Sequence, residues 1–123
     1  MNSARTLAAA GLLLALATAC GAFGAHALKT QLAPERLQLW ETAVRYQFFQ
    51  ALGLIGVGVA MRSIDNGALR AAAALVIAGV VLFSGSLYAL AFGAPRALGA
   101  LTPLGGAAWI IGWLLFAYGA WRP

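Results

Sequence analysis

The groups in this 123-residue chain that could do chemistry are few: His26, one cysteine (Cys20), three acids (Glu35, Glu41 and Asp65), and a short set of amides, hydroxyls and phenols. His26 could titrate near neutral pH as a proton relay. One imidazole cannot supply a multi-histidine metal site, so no metal and no cofactor are expected. Cys20 lies six residues earlier, about 240° round a helix, and does not share a face with His26. The plainer reading puts His26 at the headgroup boundary, hydrogen-bonded to a loop carbonyl or to Glu41. Glu41 and Arg45 stand four apart with the acid nearer the N-terminus, the better order for an intrahelical ion pair. Half-buried, such a pair would let Arg45 sit below the membrane surface.

Tyr46, Gln47 and Gln50 follow on another side of the same segment. Polar groups at membrane depth are functional candidates by default, but interhelical hydrogen bonding is the simpler role for all three. In "FSGSLY" (83–88), Ser84 and Tyr88 share a helical face, while Ser86 points elsewhere and can bond back to its own helix. No nucleophile elbow, HExxH, phosphate loop or helically spaced acid pair occurs. With so few titratable groups, general acid–base catalysis has little to work with, and an enzyme is not expected.

These residues are set in an apolar chain. Hydrophobic residues make up 63% and charged ones 9%, more than a small soluble domain can hide from water. Four blocks, residues 7–28, 44–61, 71–92 and 104–121, are each long enough to cross the hydrocarbon as a helix. Ala, Leu and Gly dominate and no period-two alternation appears, so strands are not expected. The expected fold is all-α, an integral membrane bundle of four transmembrane helices in one domain. The net charge of +5 is spread over short loops rather than gathered on one face, which suits topology and headgroup contact and argues against nucleic acid.

The links differ. "RSIDNG" (62–67) reads as a tight turn whose Asp65, Asn66 and Gly67 tolerate left-handed backbone. Thr102 and Pro103 fit an N-cap followed by the first helical residue of the last span. Pro34 opens a helix with Glu35 in its first turn. From there to Arg45, the spacing of Leu37, Trp40 and Val44 between polar residues predicts an amphipathic, interfacial segment that runs into the second span. Small-residue stripes should bring helices close: Gly105, Ala108, Gly112 and Gly119 in the fourth, Gly11, Ala15 and Ala19 in the first, Gly56 and Ala60 in the second, Gly79 and Gly85 in the third. Each could instead bind another protein's helix, but packing within the bundle is the expectation, since four helices bury much of each other first. Lys and Arg divide four against four between the two sides. Charges set close to helix ends favour both termini in the cytoplasm.

"ALATACGAFGAHALK" (15–29) has two readings. From the left it resembles the end of a secretory signal, with Cys20 as a lipid-bearing residue after cleavage; Arg5 and the apolar length add to the likeness. From the right it is a retained span ending at His26. Ala17 stands where a lipoprotein box usually has Leu, and the retained span is the expectation.

"GAFGAHALK" (21–29), "TAVRYQFFQALGL" (42–54), "LFSGSLYALA" (82–91) and "LGALTPLGGAAWIIGW" (98–113) together resemble the bacterial domain of unknown function 423. This family of small integral membrane proteins is related to eukaryotic transmembrane protein 256. The resemblance implies four spans in the plasma membrane and no established activity. At the place of Gln50 family members often carry histidine; an amide does not titrate, so the resemblance points to hydrogen bonding there rather than proton relay.

The expected function is that of a structural or accessory component of a membrane complex, with the bilayer and a membrane protein or further copies of itself as partners. The alternative is a small oligomeric transport, proton-handling or ligand-binding unit using His26, Glu41, Arg45 and Gln50. A third reading, from the amphipathic segment, is contact with lipid headgroups. An accessory protein should turn small-residue stripes or its Trp109/Trp113 face outward. A permeation unit should gather its polar residues on one wet cavity.

Overall fold

The computed structural model describes residues 1–122 and, within them, contains four long helices and no strand. Helix α1 covers Ser3–His26, α2 Pro34–Ala60, α3 Gly67–Ala91 and α4 Leu101–Trp121. The shortest has 21 residues, about 31 Å of rise, so each can cross a hydrocarbon layer about 30 Å thick. Short 3-10 turns at Leu28–Thr30 and Arg96–Ala100 fill the two longer links. The four expected blocks overlap these helices, overrunning their ends by at most two residues. The segment from Pro34 to Arg45 is the beginning of α2 itself, one unbroken rod of 27 residues.

Each helix packs chiefly on its neighbour in sequence, α1 on α2, α2 on α3 and α3 on α4. The core is continuous across all four, with Ala10 from α1, Leu54 and Val57 from α2, Ala73, Val76 and Val80 from α3, and Trp109 from α4. Apolar burial brings no helices together in lipid, so fit must do so. The glycines supply it. A Cβ at Gly105 would lie 2.5 Å from the Phe83 backbone nitrogen, and one at Gly79 would lie 2.2 Å from the Trp109 ring. Gly119 is equally closed, with Ala68 and Leu69 against it.

The termini of the helices are held by specific groups. Asn2 caps α1 by accepting the Arg5 N–H at 2.8 Å. Asn66 caps α3 through Leu69 N and also donates to Gly119 O at 3.1 Å, joining the start of α3 to the end of α4. Ser3 Oγ donates to Gly58 O at 2.6 Å, joining the start of α1 to the end of α2. The two ends of the described chain therefore lie at one end of the bundle.

Two expectations about the links are corrected. No residue of 62–67 adopts left-handed backbone; Asn66 is extended (φ −147°) because it serves as a cap, and the positive φ occurs instead at Gly93 (φ 90°). There Ala94 N donates to Ala89 O and Gly93 N to Leu90 O, the paired bonds that close a helix through a left-handed glycine. Thr102 does not cap α4. The 3-10 turn runs directly into the helix at Leu101, Thr102 Oγ1 bonds the Ser86 hydroxyl across the α3–α4 contact, and Pro103 falls in the first turn, where no N–H is needed.

Candidate functional site

The chemistry-bearing residues fall into three places. The first is a rim where the end of α1, the early turns of α2 and the end of α3 meet. Its hub is Trp40, 7% exposed. The indole N–H donates to Cys20 O at 2.8 Å, and the ring lies 4.5 Å from Tyr88, 5.6 Å from Phe92 and 6.0 Å from Phe23, centre to centre. Gly24 makes the seat, since a Cβ there would reach 2.7 Å from the indole. Periodicity places Trp40 on the buried face of α2, but its central role depends on glycines a helix away. The one legible signal was the pair Gly21 and Gly24 in "GAFGAH".

The second place is an internal polar knot. Tyr88 O–H donates to Gln47 Oε1 at 2.7 Å, and Gln47 Nε2 donates to Leu13 O at 2.8 Å, so one buried amide ties α3, α2 and α1. Ser84 Oγ donates to Ala43 O at 2.8 Å. Ser86 bonds back to Phe83 O, as its position suggested. On another side of α2, Gln50 Oε1 accepts the Trp113 indole N–H at 2.8 Å. Tyr46 lies parallel to Trp109 with centroids 6.0 Å apart. No buried side-chain nitrogen or oxygen among the described residues lacks a partner. These groups are spent on one another. Gln47→Leu should therefore cost about 1–2 kcal/mol by orphaning the Tyr88 hydroxyl, read as a lower unfolding midpoint in detergent. Adding Tyr88→Phe should recover part of that loss, because a pair removed together leaves nothing unsatisfied.

The third place is the outer flank of the rim. Glu41 and Arg45 are both exposed and form no ion pair with each other, contrary to the expectation from their spacing; the sole ion pair among the described residues joins Arg70 and Asp65. Exposed helix pairs gain only a few tenths of a kcal/mol, too little to hold two long side chains together. Instead they stand at a groove of about 260 Å³ between α1 and α2, floored by Gly21, Gly24, Ala25, Trp40 and Val44. His26 ends α1 exposed, makes no side-chain hydrogen bond among the described residues and does not line this groove. Thus His26, Glu41, Arg45 and Gln50 do not converge. Among the described residues no three of His, Cys, Asp and Glu come together.

The small-residue stripes divide as well. Gly105, Gly112 and Gly119 are buried against α3. Trp109 is buried and Trp113 half-buried, its ring filling the space beside Gly53, so this face is not presented outward. By contrast Gly11, Ala15 and Ala19 are all exposed, with open space where a Cβ at Gly11 would stand.

Comparison with known proteins agrees with this architecture. The family model described as "Protein of unknown function (DUF423)" matches residues 20–106. The chain is 44% identical over 106 residues to the UPF0382 membrane protein YwdK of Bacillus subtilis, covering 85% of this chain and 86% of the relative. It is 38% identical over 104 residues to the UPF0382 inner membrane protein YgdD of Escherichia coli, covering 85% and 79%. No solved structure gives a significant match. Four apolar helices of spanning length, a family match over most of the chain and relatives that are membrane proteins agree: this chain is a multi-pass integral membrane protein and belongs to the DUF423 family.

Proposed function

We propose that this protein is a structural or accessory component of a membrane complex and not itself an enzyme, with α1 as its docking helix. The observation that carries the reading is the outward stripe of Gly11, Ala15 and Ala19. Small residues at that spacing let a second helix approach closely, and they have no partner within the bundle. The internal hydrogen bonding of Gln47, Ser84, Tyr88 and Gln50 adds support, since it leaves no polar cluster over for a substrate.

In this reading α1 is retained whole. Thr6, Ala10 and Ala17 are fully buried, so cleavage before Cys20 would strip the core of one wall. The plasma membrane of a bacterium suits the chain, as one relative is named an inner membrane protein. Cytoplasmic termini are supported by Arg5, Arg62, Arg70 and Arg122 set close to helix ends. Of the transport or ligand-binding alternative, only the shared groove of Glu41 and Arg45 has a geometric basis.

The test is native mass spectrometry of full-length protein extracted gently from its own membrane, with a Gly11→Leu/Ala15→Leu variant beside it. A stoichiometric partner protein or second copy should accompany the wild type and be lost from the variant, while stability per substitution changes by no more than about 0.5 kcal/mol, as for exposed positions generally. Monomers without partner in both samples would overturn the docking role.

A further inference from the structure

Independently of the accessory role, we propose that the groove between α1 and α2 seats a glycerophospholipid with a zwitterionic head, its phosphate on Arg45 and its primary ammonium on Glu41. Arg45 stands at the head of an outward, apolar line on α2 that continues through Phe49, Leu52 and Gly56, all exposed. A guanidinium there, with no carboxylate partner among the described residues, is free to take an anion at the membrane surface. The lipid phosphate supplies one, its oxygens accepting from the planar donor fork of Arg45.

The order of charges along α2 then selects the head. Glu41 lies four residues nearer the start of the helix, about 6 Å further out along the axis. A phosphoethanolamine head has the same order, with phosphate next to glycerol and ammonium beyond it. A cation set deep and an anion set shallow complement it end to end, and the two side chains leave each other unpaired. Between them and α1 the groove is apolar and open because α1 contributes only Gly21, Gly24 and Ala25 there. The head lies against Trp40 and Val44, and glycerol and the first methylenes continue inward from Arg45 over the exposed Phe49 and Leu52. A choline head carries no N–H to give Glu41, and a glycerol head carries no positive charge, so each meets only half of the site.

The experiment uses full-length protein, delipidated in mild detergent and offered an equimolar mixture of phosphatidylethanolamine, phosphatidylglycerol and phosphatidylcholine, with retained lipid counted by native mass spectrometry. The wild type should hold one phosphatidylethanolamine with about tenfold preference over the others, the size of one charge-assisted hydrogen bond. Arg45→Gln should lower retention of all three. Glu41→Gln should raise phosphatidylglycerol to the level of phosphatidylethanolamine. Ala25→Leu should empty the groove with both charges intact, and Arg96→Gln, an exposed cation outside the groove, should change nothing. Retention in the proportions supplied, equal effects from Arg45→Gln and Arg96→Gln, or displacement of the lipid by millimolar inorganic phosphate would each overturn the proposal.

Discussion

Gly105→Ala should be the most damaging single methyl group that can be added to this protein, while the same change at its neighbour, Gly106→Ala, should be harmless. The two glycines differ only in what they face. A Cβ at Gly105 would stand 2.5 Å from Phe83 N and 2.8 Å from Gly79 O. Both are backbone atoms of α3, and neither can turn aside as a side-chain end can. The helices must separate along their length, and the separation also loosens Trp109, whose indole N–H donates to Val76 O at 3.1 Å. Overpacking of this kind costs about 1–3 kcal/mol where side chains yield, and the upper end or beyond is expected where backbone is the obstacle. At Gly106 nothing lies within 4 Å of the added atom, and exchanging Gly for Ala inside a helix should raise stability by up to about 1 kcal/mol. Unfolding midpoints in detergent for the two variants should therefore move in opposite directions. Equal shifts would mean that α4 does not pack on α3 through Gly105.

That contrast also marks how far the sequence could be read unaided. The four spans were legible because hydrocarbon thickness and helical rise allow few ways to arrange blocks of this length and composition. The glycine stripe of α4 was legible as a contact face, since spacing alone puts Gly105, Gly112 and Gly119 on one side. Which helix that face meets was not, because a small-residue stripe reads identically whether it serves the bundle or a partner. The stripes of α1 and α4 have the same kind of sequence and opposite fates. The same loss of information explains the site. Gln47 and Gln50 sit three apart on one helix yet bond to different neighbours, Leu13 and Tyr88 for one and Trp113 for the other. Glu41 and Arg45 have the spacing of a pair and no pair forms, since solvent and headgroups compete at an exposed rim. Thr102 has the chemistry of a cap and spends its hydroxyl on Ser86 instead, a partner that only tertiary packing reveals.

Trp40→Ala should have the other large effect. The residue is buried, and its ring packs against three aromatic neighbours from three parts of the chain, Phe23 at the end of α1, Tyr88 in α3 and Phe92 just beyond it. Truncating a buried tryptophan typically costs about 3–5 kcal/mol, because the lost contacts leave a cavity that the surroundings only partly refill. Here that cavity would open at the junction of α1, α2 and α3, so loosening of the rim should accompany the loss of stability. Trp40→Phe keeps a ring but gives up the bond to Cys20 O; a cost of about 1–2 kcal/mol follows, the sum of one hydrogen bond and a smaller ring. The decisive measurement is a double-mutant cycle with Gly24→Ala. With Trp40 present, the new Cβ lies 2.7 Å from the indole and must push it out of its seat; with Trp40→Ala it meets an empty space. Gly24→Ala should be destabilising in the first background and neutral or stabilising in the second, a coupling of at least about 1 kcal/mol between residues in contact. Additive effects would show that the glycine of "GAFGAH" is there for some reason other than to receive the tryptophan.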